Sequence, residues 1–199
     1  MNEEQIKKLS MKLSWLLRHG ANETGLQMDN AGWAEVASVR RELRIDEEQL
    51  QQVVRENNKS RLQLENGRIR ACQGHSPSGT PVTLEALEAS WKPFEGAGVI
   101  WHGTNIDALV AIARDGLLPM GRTHVHLAET EESKVGKRAN TPVLLAVSVE
   151  KLVTAGLSVF VSQNGVLLVR RVPVTAIVDL DTRSRAATAR ASELRALFC

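Results

Sequence analysis

The chain has 199 residues, 43% of them apolar, and its 25 lysines and arginines against 23 aspartates and glutamates leave a formal net charge of +2. That length fills one core or two small ones, and so even a charge excludes a globally basic nucleic-acid binder, so any basic footprint has to be local. Cys72 and Cys199 are too few for a disulfide framework and lack zinc-site pairing; no apolar run reaches the roughly 20 residues of a membrane helix, and MNEEQIKKLS is no signal peptide, so a reduced, cytoplasmic protein without membrane contact is expected.

Ile6, Leu9, Leu13, Leu16 and Leu17 recur at helical spacing, which predicts an amphipathic helix ending near Arg18 and His19, with Gly20 as its left-handed terminator. Asp29–Gly32 reads as a turn, and Val36, Val39 and Leu43 mark a second short helix. A third starts with Asp46 as N-cap and Gln49 as capping-box partner, before Leu50, Val53 and Val54. Leu62 and Leu64, the turn pair Asn66-Gly67, then Ile69 and Ala71 predict a β-hairpin. Three helices followed by a hairpin is the order of a winged-helix domain. His75–Pro81, rich in Pro, Gly and Ser, is the linker candidate.

Beyond it the pattern turns to strands. Val99–His102 reads as one, followed by a helix that Thr104 or Asn105 caps and Gly116 ends. His124–Leu127, the continuous apolar run Val143–Val149, Val159–Val161, Val166–Val169 and Ala176–Leu180 read as further strands, with a hairpin turn at Gln163-Asn164-Gly165. The fold class is α+β, divided as 1–76, a linker 77–96, and a mostly β lobe 97–199.

Two local excesses of positive charge stand out: Arg55, Lys59, Arg61, Arg68 and Arg70 against Glu56 and Glu65, and four arginines against Glu193 from residue 183 to the end. Either stretch alone reads better as a solvated face. His124 and His126, at strand spacing i,i+2, share a face and raise the question of a metal, but no Cys, Asp or Glu cluster completes such a site, and no metal is expected. Cys72 reads as a small buried residue and Trp33 as core.

Taken together, seven segments in order carry more: Leu13–His19 (LSWLLRH), Gly32-Trp33 with Val36, Ile69–Ser76 (IRACQGHS), His102–Thr104 (HGT), Gly116-Leu117, Arg122–Leu127 (RTHVHL) and Ser162–Val166 (SQNGV). In these the chain resembles the NAD-dependent RNA (tRNA) 2′-phosphotransferase family over nearly its whole length. The resemblance implies an N-terminal winged-helix lobe on RNA and a C-terminal ADP-ribosyltransferase-like lobe on NAD, with the active site in the cleft between them. It implies Arg18, His19, Arg70 and Arg122 as catalytic residues, and His102, Gly103, Thr104, His126, Arg138, Asn164 and Val166 as NAD contacts. Gln73 and His75 fall on the RNA side by motif position. At position 128, where the family commonly has Ser or Thr, this chain has Ala128.

The implied reaction moves an internal 2′-phosphate of RNA onto NAD. It yields 2′-OH RNA, ADP-ribose 1″,2″-cyclic phosphate and nicotinamide through a 2′-phospho-ADP-ribosylated RNA, as in tRNA splicing. The residue types suit it. A phosphate monoester near neutral pH carries close to two negative charges, and arginine forks hold such oxygens in pairs while staying charged. His19 is the residue able to supply a proton to the departing 2′-oxygen. The phosphate is itself a competent nucleophile, which fits Val166 where a base would otherwise be needed. Two other readings use the same residues differently: an ADP-ribosyltransferase acting on nucleic-acid phosphate ends or protein, and a nonenzymatic winged-helix RNA-binding protein. No obligate protein partner is implied.

Overall fold

The computed structural model describes residues 1–57, 60–137 and 140–198. Arg138, with Lys59 and Cys199, therefore lies outside the described residues. The chain divides into two compact units, Met1–Trp91 with Gly121–Thr123, and Lys92–Met120 with His124–Cys199. Helices and strands are both present in each, an α+β protein.

In the first unit, α1 (Glu3–Trp15) opens with a capping box between Asn2 and Gln5. It does not stop at Gly20. The helix widens into a π-turn over Leu16–Gly20, continues as α2 (Ala21–Thr24), and ends at Gly25, whose φ of 73° makes it the left-handed terminator in place of Gly20. Gly20 serves a different need: a Cβ there would stand 2.5 Å from the six-membered ring of Trp15. α3 (Val36–Leu43) follows, and α4 (Glu47–Arg55) carries the Asp46–Gln49 capping box in both directions.

The hairpin of β2 (Leu62–Glu65) and β3 (Arg68–Ala71) turns at Asn66 and Gly67, both with positive φ as a tight antiparallel turn requires. The short strand β1 (Ala34–Glu35), which periodicity alone did not disclose, pairs with β3 to complete a three-stranded sheet. Leu13, Leu16, Leu17, Val39, Leu50, Val53 and Ile69 form its core, each at most 1% exposed. The stretch read as linker is partly structured: it contains α5 (Leu84–Ala89), capped by Thr83, and Leu87 and Trp91 are buried.

The second unit holds two antiparallel sheets. One has the order β10 (Ile177–Thr182), β7 (Val143–Ser148), β5 (Val99–Thr104). The other runs β4 (Lys92–Pro93), β8 (Phe160–Val161), β9 (Leu167–Val169), β6 (Val125–Leu127). The apolar run at 143–149 stops one residue short as a strand, because Ser148 caps a helix, α7 (Val149–Thr154). Asn105, rather than Thr104, caps the turn leading into α6 (Leu109–Asp115). With α8 (Arg185–Thr188) and α9 (Ala191–Ala196), this half is less exclusively β than its strand patterns predict. Short helices of four to six residues offer too few turns for a periodic signal.

Candidate functional site

The π-turn is the point from which the first unit's polar cluster is built. An i→i+5 turn inserts a residue into the helical register, and such turns often carry function. Here it keeps Leu16 and Leu17 buried while Arg18 is half-buried and His19 exposed. The carbonyl of Arg18 accepts the Ser76 amide at 2.8 Å. Gly79 packs directly on the His19 carbonyl, where a Cβ has no room, and its own carbonyl accepts the Asn22 amide at 3.0 Å. The Ser76–Thr80 segment thus clasps the turn that bears Arg18 and His19.

A second backbone bond extends the clasp. The Thr123 amide donates to the His75 carbonyl at 3.1 Å, tying the residue after Arg122 to the residue before Ser76. His75 is fully buried, and Gly32, at φ 85°, leaves room for it: a Cβ there would lie 2.7 Å from its Nε2. Three separated segments, around residues 18, 75 and 122, are joined through main-chain groups.

The electrostatics follow from that joining. Burial is the main cause that lowers Arg18 to a pKa of about 10, followed by the positive charges of Arg61 and Arg122. It remains protonated at neutral pH, and its Nη2 donates to Gln73 Oε1 at 2.9 Å. His19, though exposed, is partly desolvated, and this, then Arg18 and Arg122, pushes it below its ordinary value. No carboxylate is among the groups that shift either residue. A cluster of this kind is under like-charge repulsion and attracts an anion.

Arg70 is held differently. It is 4% exposed. Its Nε donates to Gln63 Oε1 at 2.9 Å, and its Nη1 to Ser90 Oγ at 2.7 Å and to the Ala31 carbonyl at 3.3 Å. The guanidinium carbon stands 4.6 Å from the centroid of Trp33, which also takes Arg68 at 5.3 Å. Trp33, expected in the core, is therefore a cation–π partner. Burial lowers Arg70, with Cys72, Asp29 and Glu65 acting against it. Cys72 feels both Arg70 and Arg18, yet burial dominates and raises the thiol to about 11, so it stays protonated and unreactive. The structure thus brings Arg18, His19 and Arg122 into one electrostatic neighbourhood, and Arg70, on β3 two residues before Cys72, acts with Arg18 on that thiol. Arg61, which the sequence offered only as part of a charged stretch, joins Arg18. Its face on the hairpin becomes readable only once strand register is known.

The NAD-contact candidates lie in the second unit, on β5 and on the sheet of β6 and β9. His102 Nδ1–H donates to the His126 carbonyl at 3.0 Å, so the neutral ring carries its lone pair on Nε2. Gly103 is closely covered: a Cβ would stand 2.9 Å from Thr141 Oγ1 and 3.3 Å from Lys137 Cβ, which brings a lysine beside the HGT strand. Gly136, at φ 79°, lies against the Leu127 carbonyl, so the loop after β6 folds back on that strand. Asn164 Oδ1 accepts the Ser162 hydroxyl at 2.9 Å within a turn closed by the Ser162 amide on the Val166 carbonyl, and Val166 is buried at 2% exposure. Ala128 is fully buried, and its amide and carbonyl both pair with Trp101 at 2.8 Å. Among the described residues no group of three or more His, Cys, Asp or Glu is placed to hold a metal ion, and no helix is long and apolar enough to cross a membrane.

Fold and cluster together define the class: an α+β protein with an arginine-and-histidine site suited to a phosphate ester. Comparison with known proteins makes this specific. Residues 4–171 match the model of the RNA 2′-phosphotransferase, Tpt1 / KptA family. A probable RNA 2′-phosphotransferase of Pseudomonas savastanoi pv. phaseolicola is 38% identical over 181 residues, covering 86% of this chain and 93% of that protein. Those of Burkholderia lata and Acaryochloris marina are 36% and 35% identical, over 89% and 90% of this chain and 93% and 99% of their own lengths. The chain belongs to the RNA 2′-phosphotransferase family.

Proposed function

We propose that this protein is an NAD-dependent RNA 2′-phosphotransferase that removes an internal 2′-phosphate from RNA and delivers it to NAD. The observation that carries the reading is the main-chain joining of the segments that bear Arg18, His19 and Arg122, in a member of this family. In this reading the first unit is a winged-helix lobe that takes RNA, a role supported by its order of helices, hairpin and β1. The second is an ADP-ribosyltransferase-like lobe that takes NAD.

The residues present fit that co-substrate. His102 has a fixed tautomer, Gly103 and Gly136 let the loop that bears Lys137 pack onto β5 and β6, and Lys137 offers a positive charge for a pyrophosphate. Thr104, His126 and Asn164 complete the proposed contacts, Arg138 is included from its motif, and buried Val166 fits a reaction whose nucleophile needs no base. NAD supplies the ribosyl carbon that receives the phosphate and nicotinamide as the leaving group. Arg18 and Arg122 hold the 2′-phosphate through paired hydrogen bonds. Arg70, already committed through Nε and Nη1, is a fixed charge that stabilises the phosphoryl oxygens. His19 delivers the proton that the departing RNA 2′-oxygen needs.

The test is incubation with NAD and an oligonucleotide bearing one internal 2′-phosphate, following nicotinamide and RNA together. Expected are free nicotinamide, 2′-OH RNA and a cyclic phosphate of ADP-ribose. In His19→Ala, nicotinamide release should continue while 2′-OH RNA fails to appear. A persistent ADP-ribosyl adduct with the unaltered protein would make it an ADP-ribosyltransferase instead, and failure to bind NAD would leave only RNA binding.

A further inference from the structure

Arg61 occupies a position that the proposed chemistry does not use. The Cys72 amide donates to its carbonyl at 2.8 Å, and the next pair in register is Leu62 with Ala71. Arg61 therefore lies opposite Cys72, and by the alternation of a strand it shares the face of Gln63 and Arg70, away from the core face of Leu62 and Ile69. Its main chain is pinned a second time: its amide donates to Asn57 Oδ1 at 3.1 Å, and buried Asn57 donates through Nδ2 to Ser10 Oγ on α1 at 3.2 Å. The guanidinium, on a half-buried side chain, has no hydrogen-bond or carboxylate partner among the described residues.

Its neighbours are asymmetric. Arg18 feels Arg61 more strongly than Arg122, whereas His19 feels Arg18 and Arg122 but not Arg61. Geometry agrees: Arg18 Nη2 is bonded to Gln73 Oε1, the residue next to Cys72, and Arg61 stands opposite Cys72, so Arg18 and Arg61 approach the same end of the hairpin. One phosphate that touches His19 does not need it, and an arginine on an anchored hairpin brought beside one on the π-turn, with no carboxylate among the groups that shift Arg18, calls for a second anion. An internal 2′-phosphate has such an anion built in, because the 3′,5′-phosphodiester is attached to the neighbouring carbon of the same ribose.

We propose that Arg61 binds the phosphodiester vicinal to the 2′-phosphate, and so selects phosphates that lie inside an RNA strand. This rests on the RNA 2′-phosphate reading of the site above. The test is binding without turnover, by fluorescence anisotropy, of two oligonucleotides that carry the same internal 2′-phosphate. In one the vicinal linkage is a phosphodiester, and in the other an uncharged methylphosphonate. The unaltered protein should bind the first about ten-fold or more tighter, as for loss of one charged hydrogen bond. Arg61→Ala should bind both alike, Arg61→Lys should recover part of the difference, and the alanine variant's salt dependence on the diester should fall by about 0.7 in log–log slope. An equal loss on both ligands, or an undiminished preference for the diester, would overturn the proposal. Absence of any 2′-phosphate-dependent binding by the unaltered protein would instead overturn the underlying reading, and melting curves separate either result from misfolding.

Discussion

The candidate residues of the two units would meet a polar ligand in opposite ways. The first offers charge: Arg18 with His19, Arg61 and Arg122 come from three stretches, and main-chain bonds at Ser76, Cys72 and Thr123 tie these stretches down. The second offers shape and tautomer: His102 locked on a carbonyl, glycines at 103 and 136 in close contact, and a buried Val166. Repulsion within the first cluster is a cost that an anion relieves, whereas in the second the described positive charge beside the HGT strand is a single lysine, Lys137. A cationic site fails when a charge is removed, and a shape site fails when an atom is added.

The largest expected effect breaks the comparison cleanly. Arg18→Ala should lower turnover of a 2′-phosphorylated RNA on the order of 100-fold or more while leaving NAD affinity unchanged. Gly103→Val, which places methyl groups against Thr141 and Lys137, should weaken NAD binding while leaving RNA binding intact. Calorimetry of each variant with each ligand checks both, and loss of both affinities in either variant would show that the two sites are not separable.

An intermediate effect tests the clasp. Gly79→Ala forces a methyl group onto the His19 carbonyl and should destabilise the first unit by about 1–3 kcal/mol or more. Gly121→Ala meets nothing within 4 Å and is the neutral control. Thermal melting compares the two, and equal melting temperatures would argue against a tight clasp.

The smallest effect sharpens the electrostatic side. In the free protein the His19 imidazole should titrate below the ordinary histidine value, because partial desolvation and two arginine charges favour its neutral form. A bound phosphate dianion offsets those charges, so the pKa should rise on adding inorganic phosphate, and binding should take up a proton. NMR titration of the His19 ring with and without phosphate reads this directly. An unshifted pKa would mean that the anion sits away from His19.

Much of the frame was legible before any coordinates. The Asp46–Gln49 capping box, the Asn66-Gly67 hairpin and the core positions Leu13, Leu17, Val39 and Leu50 follow from local rules, because neighbours a few residues apart determine them. The end of the first helix did not: a glycine after a basic turn reads as a terminator, but Gly20 is there for the Trp15 ring and the helix runs on. Helix α5 was hidden in the stretch 77–96 read as linker, since six residues give hardly more than one turn of period.

For the site, sequence determined the residue types and the motifs that carry the resemblance, and with them the chemistry to expect. Tertiary structure alone decided which of those residues act as neighbours. It joined residues 18, 75 and 122, settled Arg70 on Trp33 with Gln63 and Ser90, and brought Arg61 beside Arg18. The physical reason is that an isolated arginine carries no address. Strand register and main-chain hydrogen bonds between distant segments supply one, and neither is written in the spacing of residues along the chain.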